Sequence, residues 1–216
     1  MVSSVFPPPA SPLTLSKVSS GTWFRVHPLD SATGNYAPDA FNDSGLGNAR
    51  FSPLRRPDNG TVIPTIYAAA SERGAIMEVV LHDVPTPSAG YQHDLQRDLA
   101  SSLHMSQIGM ADLRLANLTA TGLRGPGLAP SDLFDGDKTD YLRTREWALW
   151  IWQNLPDAQG LMWMSKQDNQ SMAVMLFGDR MSTPIVDLKR SRHLEHFEHL
   201  IVELLAEMGA TVTPTL

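Results

Sequence analysis

The spacing of apolar residues changes several times along the chain, and the changes mark its elements. Residues 22–27, Thr-Trp-Phe-Arg-Val-His, alternate and carry β-prone side chains, which predicts a strand ended by Pro28. Residues 29–50 are rich in Gly, Asn, Asp and Ala without periodicity and read as loop. Pro57-Asp-Asn-Gly60 signals a turn, followed by a strand over 62–69. Ser71 stands where it caps a helix over about 72–82. Residues 93–104 read as a helix and 113–119 as a strand, and the Gly and Pro of 122–130 break the pattern. Trp147, Trp150 and Ile151 fall on one side of a helix predicted over 140–154. Residues 160–165 and 171–177 read as the two strands of an antiparallel hairpin turned at 166–170, with a further short strand over 183–188. A last helix over about 192–208 places Leu194, Phe197, Ile201, Leu204, Leu205 and Met208 on one face and stops at Gly209. Strands and helices mix without strict βαβ alternation, so the expected class is α+β, in a single domain.

Composition narrows the function classes. At 216 residues the chain can bury one substantial core, and 42% apolar with 19% charged residues is ordinary for a globular protein. A net charge of −6 argues against direct nucleic-acid binding, which calls for a basic stripe. With no cysteine, disulfides, thiolate catalysis and Cys-based zinc sites are excluded. No apolar run approaches the roughly 20 residues of a membrane span. Residues 1–20, rich in Pro and Ser, read as a tail laid on the surface or disordered, ahead of a domain over 21–216. They lack the basic and apolar regions of a secretory signal, so a cytoplasmic location is expected.

The most informative stretch runs from Tyr67 to Glu78: a strand ending in an aromatic, a Ser-capped turn, then a helix with one carboxylate among Ala75, Ile76, Val79 and Val80. An ionisable group among apolar neighbours costs free energy unless it is paired, hydrated or used. Two roles are open for Glu78, an ion pair with Arg73 or another surface cation, or a charge turned on a ligand. Ser71, Gly74, Glu78 and His82 share one side of this helix, and Gly74 suggests open space one turn before Glu78, compatible with a ligand approaching there. Arg25 and Arg50 are the candidate positive groups.

Other patterns carry less. Gly45-Leu-Gly47-Asn-Ala-Arg50 has two glycines of a dinucleotide fingerprint but no leading strand and an Arg at the third position. His193, His196 and His199 beside Glu195 and Glu198 drift around the helix at three-residue steps and read as a half-solvated face, with no metal expected. The acidic segment 132–140 lacks the ligand order of a calcium loop.

Taken in order, Phe24-Arg25, Asn48-Ala-Arg50-Phe, Ile66-Tyr67-Ala-Ala, Ala75-Ile-Met-Glu78, Leu113-Arg-Leu-Ala-Asn-Leu-Thr119, Gly160-Leu-Met-Trp-Met-Ser165 and Val174-Met-Leu-Phe177 resemble the RES domain, named for Arg, Glu and Ser. The family usually has Gly-Gly-Arg at Asn48-Ala-Arg50, and a Pro at Met164. RES domains are the toxins of bacterial RES–Xre type II toxin–antitoxin pairs. The resemblance implies an ADP-ribosyltransferase-like fold of mixed and antiparallel sheets flanked by helices. It also implies NAD+ as a consumed substrate, and a cognate Xre-type helix-turn-helix antitoxin whose C-terminal part covers the active-site cleft.

Cleaving the nicotinamide–ribose bond releases neutral nicotinamide and leaves an oxocarbenium-like ribose. The reaction needs an anchored diphosphate, a carboxylate near the developing cation and a platform for the ring. Arg25 and Arg50 suit the diphosphate or ribose, Glu78 the ribose hydroxyl and the cation, and Tyr67 the nicotinamide portion. Ser165 is either a donor to a ribose or phosphate oxygen, a group that positions the acceptor, or a hydrogen-bonding residue at a hairpin edge. On this expectation Glu78, Arg25 and Ser165 are catalytic, and Arg25, Arg50, Tyr67 and Ser165 bind NAD+. Water, phosphate and a host target protein all remain open as acceptor. A non-catalytic RES-fold binding module is the alternative of another class.

Overall fold

The structure, a computed structural model, describes residues 13–29, 36–136 and 141–213. Its strands are β1 (Leu15–Val18), β2 (Gly21–Pro28), β3 (Leu54–Arg55), β4 (Val62–Ile63), β5 (Thr65–Ala69), β6 (Gln92–His93), β7 (Leu103–Met110), β8 (Leu113–Asn117), β9 (Gly160–Met164), β10 (Met172–Phe177), β11 (Val186–Asp187), β12 (Arg192–His193) and β13 (Thr211–Val212). The helices are α1 (Glu72–Val79), α2 (Leu95–Leu99), α3 (Ala120–Arg124), α4 (Ser131–Phe134), α5 (Tyr141–Asn154) and α6 (Glu198–Glu207). The class is α+β, as the order of elements predicts.

Nine strands form one mixed sheet in the order β1-β8-β9-β10-β5-β2-β7-β11, with β12 also on β7. Among the described residues of this sheet only β8 and β9 pair in parallel; every other pair is antiparallel. The 160–177 hairpin forms as its two apolar strands and intervening polar turn predict, with Met172 opposite Met164 and Leu176 opposite Gly160. On one face of the sheet a single cluster, including Trp23, Ile66, Ile108, Met162 and Leu176, spans strands from both ends. The remaining apolar residues fall into two clusters. One joins α5, β9 and β10 through Trp147, Ile151, Leu161, Trp163 and Phe177. The other joins α1, α6, β2 and β7 through Ile76, Met77, Ile201, Leu204, Val26 and Met105.

Several expectations are corrected. Residues 93–104 are not one helix: α2 covers only Leu95–Leu99, capped by Asp94, whose side chain accepts from Arg97 N. The chain then enters β7, which pairs with β2 over eight residues. Within the expected N-terminal tail, Leu15–Val18 forms β1 against β8, while residues 1–12 lie outside the described residues. The strand over 62–69 is divided at Pro64 into β4 and β5. The last helix begins later than its apolar face suggests, after β12 and a short 3-10 turn at Leu194–Phe197. Part of the acidic segment, 137–140, is also outside the described residues.

Gly74 is the correction that bears on the site. A Cβ there would stand 2.6 Å from Ser171 Cβ and 3.2 Å from Ala69 Cβ, so this side of α1 is pressed onto β10 and β5 instead of facing open space. In an open helix Gly→Ala would stabilise by about 1 kcal/mol. Here Gly74→Ala is expected to destabilise, by about 1–3 kcal/mol as overpacking does. A denaturant midpoint that rises for this variant would show that the face is open after all.

Candidate active site

Strands β2 and β5 pair at a single register position, Phe24 opposite Ala69. Beyond it they diverge, and residues 24–28 of one and 65–69 of the other line a cleft of about 420 Å³. Successive strand residues point to opposite faces. Because consecutive residues face it, the cleft enters the sheet edgewise between two strands. Asn42 bridges part of the gap, its N–H donating to Thr65 O at 2.8 Å and its carbonyl accepting from Thr65 N at 3.1 Å. A second lobe of about 330 Å³ shares Arg50, Glu78, His82, Asp83, Tyr141 and Trp163 with the first and runs on towards Lys166 and Gln167. Both volumes suit a small-molecule site.

Four of the five residues expected from the sequence meet at this cleft: Arg25, Arg50, Tyr67 and Glu78. Arg25, on β2, donates through Nη1 to the carbonyls of Pro38 (2.9 Å) and Ala40 (2.8 Å), which ties down the loop over the gap. Burial pushes its guanidinium down to about 10, opposed by Asp39, so it stays charged at neutral pH. Arg50 donates to Leu133 O at 3.1 Å, and its guanidinium carbon lies 5.0 Å from the Tyr141 ring and 5.8 Å from the Phe134 ring. Its loop is fixed by α5: Thr144 Oγ1 donates to Arg50 O, and Arg145 donates to Ala49 O at 3.0 and 3.1 Å. Tyr67 Oη accepts from Phe51 N at 3.2 Å, and its ring meets Trp163 edge-on at 6.2 Å. Burial pushes its phenol up to about 12, so it stays protonated.

Glu78 is half-buried on α1. The ion pair with Arg73 does not form: Arg73 bonds instead to Asp168 and Glu207, each at 2.7 Å. Among the described residues Glu78, Arg25 and Arg50 take part in no salt bridge, so two cations and one carboxylate face a shared space without neutralising one another. The helix that carries Glu78 is held at its start by Ser71, whose Oγ accepts from Gly74 N at 3.0 Å and lies 3.0 Å from Ser171 Oγ.

Ser165 is not brought to the cleft wall. It lies at the end of β9, 1% exposed, with its backbone N–H on Ser171 O and its hydroxyl without a hydrogen-bond partner among the described residues. Its neighbours Trp163, Lys166 and Gln167 do line the second lobe.

The model of one family, the RES domain, matches residues 22–195, a span that holds all five of these residues. The chain belongs to the RES-domain family. A chain of the crystal structure of the M. tuberculosis MbcT–MbcA toxin–antitoxin complex superposes on this RES domain with a TM-score of 0.59 at 18% identity, covering 89% of this chain and 92% of that one. That likeness is one of fold. No curated protein matches the sequence.

The RES domain also places residues at its cleft that sequence reasoning did not single out. Trp163 forms part of the wall of both lobes, and Tyr141 and His82 stand where they join. His82 had a signal, its place on the same helical side as Glu78; Tyr141 had none apart from an aromatic at a helix start. His27 is a further case. Its Nδ1 lies 2.7 Å from Pro28 O, so Nε2 accepts from Ser106 Oγ, also at 2.7 Å. Burial and the neighbouring Arg25 charge push His27 down to about 4.

That depression fixes a pH dependence. Between pH 6.5 and 4 the unfolded chain binds a proton at this histidine that the folded chain refuses, so stability falls as pH falls through that window. The expected loss is about 3 kcal/mol, complete near pH 4. Chemical denaturation at successive pH values should show it, and His27→Gln should flatten the slope between pH 6.5 and 4. An unchanged slope in that variant would place the acid sensitivity elsewhere.

Proposed function

We propose that this RES domain is the toxin of a bacterial toxin–antitoxin pair, that it binds NAD+ in the cleft between β2 and β5, and that it cleaves the nicotinamide–ribose bond. The observation that carries this reading is the convergence of Arg25, Arg50, Tyr67 and Glu78 on one cleft, with the carboxylate and both guanidiniums outside any salt bridge among the described residues. Charges held apart in a partly desolvated site are available to a ligand that itself carries both signs. NAD+ is such a ligand, with a diphosphate at its centre and a pyridinium at the scissile bond.

In this mechanism the arginines anchor the diphosphate and ribose, which orients the glycosidic bond. Glu78, ionised, accepts a hydrogen bond from a ribose hydroxyl and lowers the free energy of the cation that develops as nicotinamide departs. The leaving group departs neutral with the electron pair of the broken bond, so it needs no proton donor. Tyr67, protonated and braced by Trp163, forms the aromatic wall for the nicotinamide end. Ser165 enters as a support at the end of β9, beside the second-lobe residues Lys166 and Gln167. No metal takes part.

Loss of NAD+ by hydrolysis or phosphorolysis would arrest growth of the cell that makes the toxin; transfer of ADP-ribose to a host protein is the other outcome of the same bond cleavage. A cognate Xre-type antitoxin would hold the toxin inactive in the cytoplasm. Among the described residues no helix is long and apolar enough to cross a membrane.

Purified chain incubated with NAD+, in buffer with and without phosphate and with candidate proteins, tests the reading. Mass spectrometry is expected to detect free nicotinamide together with ADP-ribose, its phosphorylated form or a modified protein. Intact NAD+ under every condition overturns the enzyme reading and leaves the binding-module alternative.

A further inference from the structure

One set of hydrogen-bonded side chains in the cleft has no part in the mechanism above. His82 follows Glu78 by four residues, just past the end of α1. Its Nδ1 lies 2.9 Å from Asp83 Oδ1 and its Nε2 lies 3.0 Å from Tyr141 Oη. The two rings meet edge to face at 6.4 Å. The backbone here is clamped, because Gln167 Nε2 donates both to His82 O at 2.6 Å and to Val84 O at 3.0 Å. Tyr141 is 3% exposed, and the other face of the site reaches it through the Arg50 guanidinium, 5.0 Å from its ring. Glu78, His82, Asp83 and Tyr141 all line both lobes, so the chain of hydrogen bonds stands at their junction.

The bonding has a direction. A carboxylate only accepts, so Asp83 holds the imidazole with its hydrogen on Nδ1, and the lone pair on Nε2 faces the Tyr141 hydroxyl. Each group therefore passes a hydrogen towards the next: Tyr141 O–H to His82, His82 N–H to Asp83. The order is that of a carboxylate–imidazole–hydroxyl triad with a phenol in the last place.

We propose that Asp83, His82 and Tyr141 form a proton relay that serves the group attacking the ribose, an inference that rests on the reading of the cleft as an NAD+ site. The balance of the reaction calls for such a relay and for no acid. An acceptor bearing an O–H bonds to ribose C1′ as the C1′–nitrogen bond breaks; the electron pair of that bond leaves with nicotinamide, which becomes neutral. One proton is left over, the acceptor's own. It passes to Tyr141 Oη while the Tyr141 proton passes to His82 Nε2, and the imidazolium so formed is held by Asp83. His82, with about 29% of its side chain exposed, then returns the proton to solvent. Tyr141 is the member that touches the acceptor; His82 and Asp83 act through it. The second lobe, on the far side of Glu78 from the Arg25 wall, is the chamber from which the acceptor arrives.

Steady-state nicotinamide release and calorimetric NAD+ binding, measured on the full chain for Tyr141→Phe, His82→Gln and His82→Gly, test this. Each variant is expected to lose about 10²–10⁴-fold in kcat, the scale of general-base catalysis, with NAD+ affinity and KM within about threefold of the parent. The Tyr141→Phe/His82→Gln double variant should lose little more than either single one, and added imidazole should restore turnover to His82→Gly. Parent chain that turns over with variants at parental kcat overturns the relay alone. Parent chain that releases no nicotinamide overturns the NAD+ reading and the relay with it. Lost turnover with parallel loss of NAD+ affinity or of the melting transition in both His82 variants, without imidazole rescue, assigns His82 to structure and overturns the relay as well.

Discussion

Glu78→Gln is expected to lower nicotinamide release from NAD+ by about 10³-fold or more, on the scale of losing a preorganised charge at a developing ion. The shape and the hydrogen-bonding reach of the side chain survive this change; only the negative charge is lost. NAD+ binding should therefore persist, because the arginines proposed to hold the diphosphate are untouched. Stability should move by no more than about 0.5 kcal/mol, since Glu78 has no ion pair to break among the described residues and is half-exposed. The combination is what discriminates. A protein that melts like the parent, binds NAD+ and no longer cleaves it identifies the carboxylate as a charge used on the transition state. Full activity in Glu78→Gln would remove this residue from the chemistry, and loss of folding would make it structural.

Trp163→Ala has the largest expected effect on stability. Trp163 is 3% exposed and lies 5.2 Å from the Phe51 ring, 6.2 Å from Tyr67 and 6.5 Å, stacked, from Phe134. Removing it leaves a cavity at the centre of three aromatic contacts, which costs about 3–5 kcal/mol. A chain of this length should lose roughly 10 °C in Tm, at about 2–4 °C per kcal/mol. The same change loosens Tyr67 and the Phe134 ring beside Arg50, so ligand affinity should fall with stability. A thermal midpoint within two or three degrees of the parent, about 1 kcal/mol on the same scale, would mean that the aromatic group closes over the gap.

How much of this was legible in the sequence depends on what each segment answers to. Local rules sufficed where an element satisfies itself: the Ser71 cap, the 160–177 hairpin and the α5 stripe of Trp147 and Ile151 all formed as their spacing predicts. Strand β7 was hidden because Ser106 and Gln107 interrupt its apolar pattern. Ser106 is fully buried, yet its hydroxyl is satisfied by His27 and Ser191, partners 79 and 85 residues away. Gly74 misled for a related reason. A missing side chain marks either a space or a close approach, and only the position of Ser171 decides between them. The family pattern brought Arg25, Arg50, Tyr67 and Glu78 to one place. The hydrogen bonds around His82 and Tyr141 join residues 59 apart and left no periodic trace.

The single paired position of Phe24 and Ala69 has a mechanical consequence. On the face where Trp23, Ile66 and Ile108 share a cluster the packing runs on across both strands, whereas on the other the halves pack largely in separate clusters, joined where α1 lies against Ala69 and Ser171. The walls of the cleft thus belong to two halves of the sheet joined along a spine of shared packing and by α1, like covers held at the binding. Whatever touches Arg25 on one cover and Tyr67 on the other becomes a brace between them, and the bound molecule completes the stiffness that the backbone ladder leaves out.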